Sequence, residues 1–132
     1  VYKQDATIFL KKWEESFDVV LIDAPCSGFG VTGKKKDVIF NKTYDDVLAL
    51  AELQREILDN ACKYVKKGGL LVYSTCTVFN KENAENVNWF LSQHPEFKRE
   101  KIDLPYDNDG SIQFLPDGKG MEGFFVCHMR KA

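Results

Sequence analysis

The chain has 132 residues, 44% of them hydrophobic and 29% charged, with a formal net charge of −2. That is enough for one domain with its own core, and the balanced charge excludes a wholly basic nucleic-acid glove. No apolar run approaches the roughly 20 residues of a membrane-spanning helix.

In chain order, Val1 to Ala6 reads as the tail of a strand and a turn. Thr7 to Glu15 carries a weak helical pattern, with Phe9, Leu10 and Trp13 on one side. Phe17 to Ile22 is apolar and β-branched apart from Asp18, which predicts a strand buried on both faces of a parallel sheet. Residues 23–42 form a long loop rich in Gly and Lys. Thr43-Tyr44-Asp45-Asp46 has the form of a capping box. The helix it opens runs to about Lys66, with Leu50, Leu53, Ile57, Ala61 and Tyr64 as its apolar stripe.

Gly68-Gly69 is expected to stop that helix, and Leu70 to Ser74 is a second buried strand. Asn80 is placed to cap a further helix, which His94-Pro95 ends. A strand near Phe97 to Ile102, a polar loop to Asp117 and a last strand from Gly123 to Met129 follow. The loop acids, Asp103, Asp107 and Asp109, lack the spacing and closing Glu of a calcium site. The order predicts the α/β class: an open, mostly parallel sheet. The strands at 17–22 and 70–74 are expected to be parallel neighbours, with ligands bound beyond their carboxyl ends.

Two glycine patterns compete for attention in GFGVTGKKK, residues 28–36. A dinucleotide fingerprint needs a helix starting at its third glycine. Gly33 instead runs into Lys34-Lys35-Lys36-Asp37, and the first cap comes at Thr43. A phosphate-binding P-loop needs Ser or Thr after Gly-Lys, where this chain has Lys35. The glycines are therefore read as loop. Basic runs at Lys34–Lys36 and Lys98–Lys101 are read first as solvated faces.

Cysteines stand at 26, 62, 76 and 127 with no C-x-x-C pair, and His94 and His128 have no ligand at metal spacing, so no metal is expected. A cytoplasmic chain keeps such thiols reduced. Cys62 falls in the helix and Cys127 in the last strand, where small buried hydrophobes belong. Cys26 and Cys76 differ. Each lies just past the end of a buried strand, and Asp23 ends the first of those strands. If the strands are neighbours, about 4.8 Å apart, both thiols and the acid share one crevice. Two thiols and an acid suit methylation at carbon 5 of cytosine. A thiolate adds to carbon 6 and makes carbon 5 nucleophilic, a carboxyl group supports the ring, and a second thiol assists release. The base must be unpaired or flipped out to be reached.

At these residues the chain resembles the Sun (Fmu) family of RNA cytosine-5 methyltransferases. The likeness rests on DAPCSG at 23–28, LAELQREIL at 50–58, GGLLVYSTCTVFNKEN at 68–83 and MEGFFVCHMRK at 121–131. The resemblance implies a Rossmann-like class I methyltransferase fold, an antiparallel last strand, S-adenosyl-L-methionine as methyl donor, and RNA, ribosomal by family expectation, as substrate. It implies Cys76 as nucleophile and Cys26 as the thiol that helps release the product. Asp23 is implied beside the methyl donor and the base, Pro25 on the cofactor side, and Asp5 at the cofactor adenine. Asn83 is implied as a helix-start residue, and Phe124 and Phe125 as core packing.

Three departures qualify it. The loop after DAPC lacks the family's Arg and Pro. Glu122 stands where Asp is commoner. The glycine-rich cofactor loop, the ribose-binding acid and the RNA-binding region are expected upstream of Val1. Residues 1–132 are accordingly read as the C-terminal part of a catalytic domain that does not methylate alone. Its exposed sheet edge could pair two copies. Three other readings stay open: an amino-group methyltransferase, a non-catalytic RNA-binding or assembly module, and a nucleotide hydrolase.

Overall fold

The computed structural model describes residues 1–31 and 42–132. Its elements are β1 (Phe17–Asp23), α1 (Tyr44–Ala61), β2 (Val65–Thr75), α2 (Ala84–Gln93), β3 (Phe97–Arg99), β4 (Ser111–Phe114) and β5 (Phe124–Lys131), with single 3-10 turns at Lys11–Trp13 and Cys62–Tyr64. The strand order is β1-β2-β5-β3, and β4 also pairs with β5. Val1 to Ala6 forms no strand, and the helix expected at Thr7–Glu15 shrinks to one 3-10 turn. Its four apolar residues in nine include three in a row, Ile8, Phe9 and Leu10, which do not line one helical face.

The α/β class holds, and β1 and β2 pair in parallel as expected, with Asp23 opposite Ser74. The last strand is antiparallel to β2, and β3 and β4 also meet β5 antiparallel. Among the described residues only β1 and β2, joined through α1, run parallel; the other pairings are antiparallel. β4 was read as polar loop, because four residues with one aromatic give little periodicity.

β1 is not buried on both faces. Ile22 points into the core, while Val19 is 57% exposed and Leu21 65% exposed. Both helices lie over the other face of the sheet. The core joins Ile57, Leu58 and Ala61 of α1, Val87 and Phe90 of α2, and Leu71, Tyr73, Cys127 and Met129 of the sheet. Burying a side chain such as Leu58 contributes about 2 kcal/mol. The outer edge of β1 pairs with no other strand among the described residues.

Thr43 caps α1 through the expected capping box with Asp46. Leu50, Leu53 and Tyr64 of the apolar stripe read in the sequence are half-buried, while Ile57 and Ala61 join Val47, Ala51, Gln54, Leu58 and Asn60 on the buried face. A polar side chain, Gln54, occupies its centre. Gly68 and Gly69 do not stop the helix. They form a bulge in β2, where the register jumps from Phe17↔Val65 to Val19↔Leu70. A Cβ on Gly69 would lie 2.9 Å from Lys66 O and 3.0 Å from Asp18 O, so the bulge closes only on glycine.

Cys62 and Cys127 are buried, as expected. Burial pushes both thiols from 9.0 up to about 12. A thiol is neutral when protonated, so the folded state keeps protons that the unfolded chain releases. Stability is therefore expected to fall as pH rises from about 9 toward 12, by up to about 1.4 kcal/mol per pH unit for each such thiol. Urea melts across that range check it. Cys127→Ala should flatten the slope, and an unchanged slope would refute the assignment.

Candidate active site

The parallel pair places its two carboxyl ends side by side. Ala24 N donates to Ser74 O at 2.9 Å, which carries the pairing one residue beyond the strands. Past that point the chains diverge, and Cys26 and Cys76 face each other with sulfurs 3.0 Å apart. The Cys76 amide donates to Cys26 Sγ at 3.3 Å. The next residue on each side repeats the link, Ser27 Oγ to Thr77 Oγ1 at 2.9 Å. Asp23 sits beside them and accepts from Ser74 Oγ at 3.2 Å. The two strand-end cysteines and the acid are thus together.

Burial, and next the bond to Cys76, push the Cys26 thiol up to about 12. Cys26 therefore holds its proton at neutral pH and can donate it to the Cys76 sulfur. The two sulfurs lie within hydrogen-bonding reach of each other past the carboxyl ends of the parallel pair.

Behind the cysteines lies a buried polar network centred on Glu82, whose side chain is fully covered. Glu82 Oε1 accepts from Ser27 N at 2.8 Å and from Gln54 Nε2 at 3.0 Å. Glu82 Oε2 accepts from Ser27 Oγ at 2.6 Å. Gln54 also reaches Pro25 O at 2.9 Å. The neighbouring Asn83 is equally buried. Its Oδ1 accepts from Thr75 Oγ1 at 2.5 Å, and its Nδ2 donates to Thr77 O at 2.9 Å. Asn83 is the helix-start residue, but its side chain makes no capping bond. It clasps the residues on either side of Cys76 instead. The sequence reading put the cap at Asn80, whose carbonyl accepts from Glu85 N at 3.0 Å.

A cavity of about 340 Å³ opens on the other side of β1. Asp5, Asp23 and Pro25 line it together with Trp13, Ile57 and Tyr64. The turn that carries Asp5 is tied to α1. Asn60 Nδ2 donates to Ala6 O at 2.7 Å, and Tyr64 OH accepts from Leu10 N at 2.9 Å. Asp5 Oδ1 accepts from the Thr7 amide and hydroxyl at 2.9 and 2.7 Å. These bonds, the amide's first, hold its carboxyl below the usual value. An ionised acceptor at one end, a second carboxylate at Asp23 and aromatic walls between fit an adenosyl group.

A larger hollow of about 580 Å³ lies between α1 and α2 and includes Arg55, Asp59 and His94. There His94 Nδ1 is 3.8 Å from Cys62 Sγ and His94 Nε2 is 3.1 Å from Asp59 Oδ1. This imitates a Cys-His-Asp triad, but Cys62 is buried, its thiol is pushed up, and it donates to Asp59 O at 3.2 Å. It is packing. Among the described residues no group of three His, Cys, Asp or Glu side chains could hold a metal.

Gly33 and Lys34–Lys36 lie outside the described residues. Gly30 does not form a phosphate cradle: its amide donates to Cys76 O at 3.0 Å, and its carbonyl accepts from Gly123 N at 2.7 Å. Of the basic run at 98–101, Arg99 pairs with Asp109 and Asn88. Phe125 is core, but Phe124 is 38% exposed and stands opposite Phe114 at the open end of the β4 pairing. Reading by strand ends missed Glu82, Gln54, Ser27 and Thr77. Glu82 just before a helix gave the one available signal, a charge beside a T-C pair in NKEN.

Residues 1–130 match the family described as 16S rRNA methyltransferase RsmB/F. The "Probable ribosomal RNA small subunit methyltransferase B" of Bacillus subtilis (strain 168) is 48% identical over 126 residues, covering 89% of this chain and 28% of that protein. "Ribosomal RNA small subunit methyltransferase F" of Cronobacter sakazakii (strain ATCC BAA-894) is 37% identical over 135 residues, covering 96% of this chain and 28% of that protein. Among solved structures, NSun6 from Pyrococcus horikoshii with SFG is 29% identical with a TM-score of 0.75, covering 98% of this chain and 34% of that one. The chain spans less than a third of the length of these curated relatives. Its sheet and helices are part of a Rossmann-like class I methyltransferase fold, and the chain belongs to the RsmB/F family of 16S rRNA methyltransferases.

Proposed function

We propose that the protein to which these residues belong methylates carbon 5 of a cytosine in ribosomal RNA of the small subunit, with residues 1–132 as the C-terminal part of its catalytic domain. The observation that carries this reading is the Cys26–Cys76 pair, 3.0 Å apart beside Asp23 at the ends of two parallel strands. The names of its relatives support the ribosomal substrate, which places the work in the cytoplasm. S-adenosyl-L-methionine supplies the electrophilic methyl group when bound. Asp5 would accept from its adenine amine, and Asp23 and Pro25 would flank it in the cavity of about 340 Å³.

The Cys76 thiolate adds to carbon 6 of the cytosine, and the ring electrons shift to carbon 5. Asp23 supports the ring nitrogen and amine as charge develops. Carbon 5 gains the methyl group. Cys26, its own proton first passed to water, takes the carbon-5 proton as a thiolate, the carbon–sulfur bond breaks, and the Cys76 thiolate returns. Burial, the largest cause of the raised Cys26 thiol, persists in the adduct, but the side-chain bond and charge of Cys76 that also raise it are gone once Cys76 is bonded to carbon, which eases loss of the Cys26 proton at the step that needs a base. An amino-group methyltransferase would use neither thiol.

The full-length protein, given RNA labelled with tritium at cytosine carbon 5, should release one tritium per methyl group transferred. Methyl transfer with the tritium retained would point to the amino group and end the carbon-5 reading. Separately, the unpaired edge of β1 would add a strand from elsewhere in the protein or from a second copy. The 132-residue chain alone should therefore associate and should not methylate. A purely monomeric mass by light scattering would remove the second copy.

A further inference from the structure

We propose that Glu82 and Asn83 are a two-part positioning device: Glu82 holds the release thiol and Asn83 holds the nucleophile. This rests on the carbon-5 reading above. The two residues are consecutive, both buried, and both stand at the start of α2. Their side chains diverge. Glu82 takes both donors of Ser27, the residue after Cys26, and shares Gln54 with the Pro25 carbonyl before it. Asn83 takes the hydroxyl of Thr75 and the carbonyl of Thr77, the residues flanking Cys76. Neither touches a cysteine sulfur, so neither is catalytic.

A carboxylate buried among three neutral donors is costly unless every bond is made. Its three bonds all fix the short segment that aims Cys26 at Cys76. The Tyr73 hydroxyl, donating to Glu82 O at 2.7 Å, fixes the backbone of the pair from the sheet side. The arrangement holds the segments of both thiols from one pair of consecutive residues. The Ser27–Thr77 hydroxyl bond joins the two grips, but the remaining bonds of each are separate: loosening Glu82 chiefly disturbs the second half of the reaction, and loosening Asn83 chiefly the first.

The test uses the full-length protein with its RNA and S-adenosyl-L-methionine, and follows the covalent protein–RNA adduct on denaturing gels. Glu82→Ala should form the adduct within about threefold of the normal rate but release it at least about tenfold more slowly, so the adduct accumulates. Asn83→Ala should slow adduct formation at least about tenfold and accumulate nothing. Should Glu82→Ala fail to fold, Ser27→Ala removes the hydroxyl bonds to Glu82 and Thr77 while keeping the amide bond to Glu82, and should give the same accumulation in weaker form. Equal slowing of formation and release in both variants would reduce the pair to structural support and overturn the proposal. So would normal release in folded Glu82→Ala. Cys26→Ala is run alongside. If it too fails to accumulate adduct, the carbon-5 reading falls and the device with it; if it accumulates adduct and Glu82→Ala does not, only the device falls.

Discussion

Cys26→Ala in the full-length protein should trap a covalent adduct with methylated RNA, and adding Cys76→Ala should abolish it. The expectation follows from the different states of the two sulfurs. Burial and the bond to Cys76 push the Cys26 thiol up to about 12. It therefore keeps its proton at neutral pH, and Cys76 is the sulfur proposed to attack. Without Cys26 the first half of the reaction proceeds, and the carbon-5 proton has no nearby base. The intermediate then persists. Cys76→Ala alone should lower methyl transfer by at least about 10⁴-fold, the scale of losing a covalent nucleophile. The opposite outcome, an adduct trapped by Cys76→Ala and lost with Cys26→Ala, would exchange the two roles. Persistent methylation in the double variant would exclude both thiols.

Much of this site was legible in the sequence because it depends on strand ends. A β-branched run such as VVLI announces its strand, and the residue after it must lie where ligands bind. Asp23, Cys26 and Cys76 follow from that geometry with two strands and one crossover. What stayed hidden depends on side chains meeting across long sequence separations. Glu82 meets Ser27 across 55 positions and Gln54 across 28, and no periodicity records such meetings. Gln54 was hidden for a further reason: a polar residue in a helical stripe reads as its solvent edge, yet here it is fully buried because its partners are buried too. The β2 bulge misled in the other direction. Gly68-Gly69 after a helical stripe is a stop signal by composition, and only the pairing with β1 shows that the strand has already begun at Val65.

Gly30→Ala should damage both folding and catalysis, although Gly30 needs no unusual backbone angle. A Cβ there would lie 2.1 Å from Gly123 O and 2.7 Å from Cys76 O. Both are backbone atoms, so no rotamer change can relieve the clash. The three segments that meet at Gly30 are the Cys26 loop, the Cys76 loop and the lead into β5, joined by its amide and carbonyl bonds. Forcing them apart should cost about 1–3 kcal/mol of stability. It should also displace Cys76 by a fraction of an ångström from Cys26, enough to slow methyl transfer by about 10²-fold. Gly118→Ala is the contrast. Its φ of +71° makes alanine strained, by about 1–2 kcal/mol, but nothing lies within 4 Å of the added carbon. It should lower the melting temperature and leave methyl transfer per folded molecule unchanged. Equal losses of catalysis in both variants would mean that the effect comes from stability alone. Loss confined to Gly30→Ala would tie the effect to the point where the two cysteine loops close on each other.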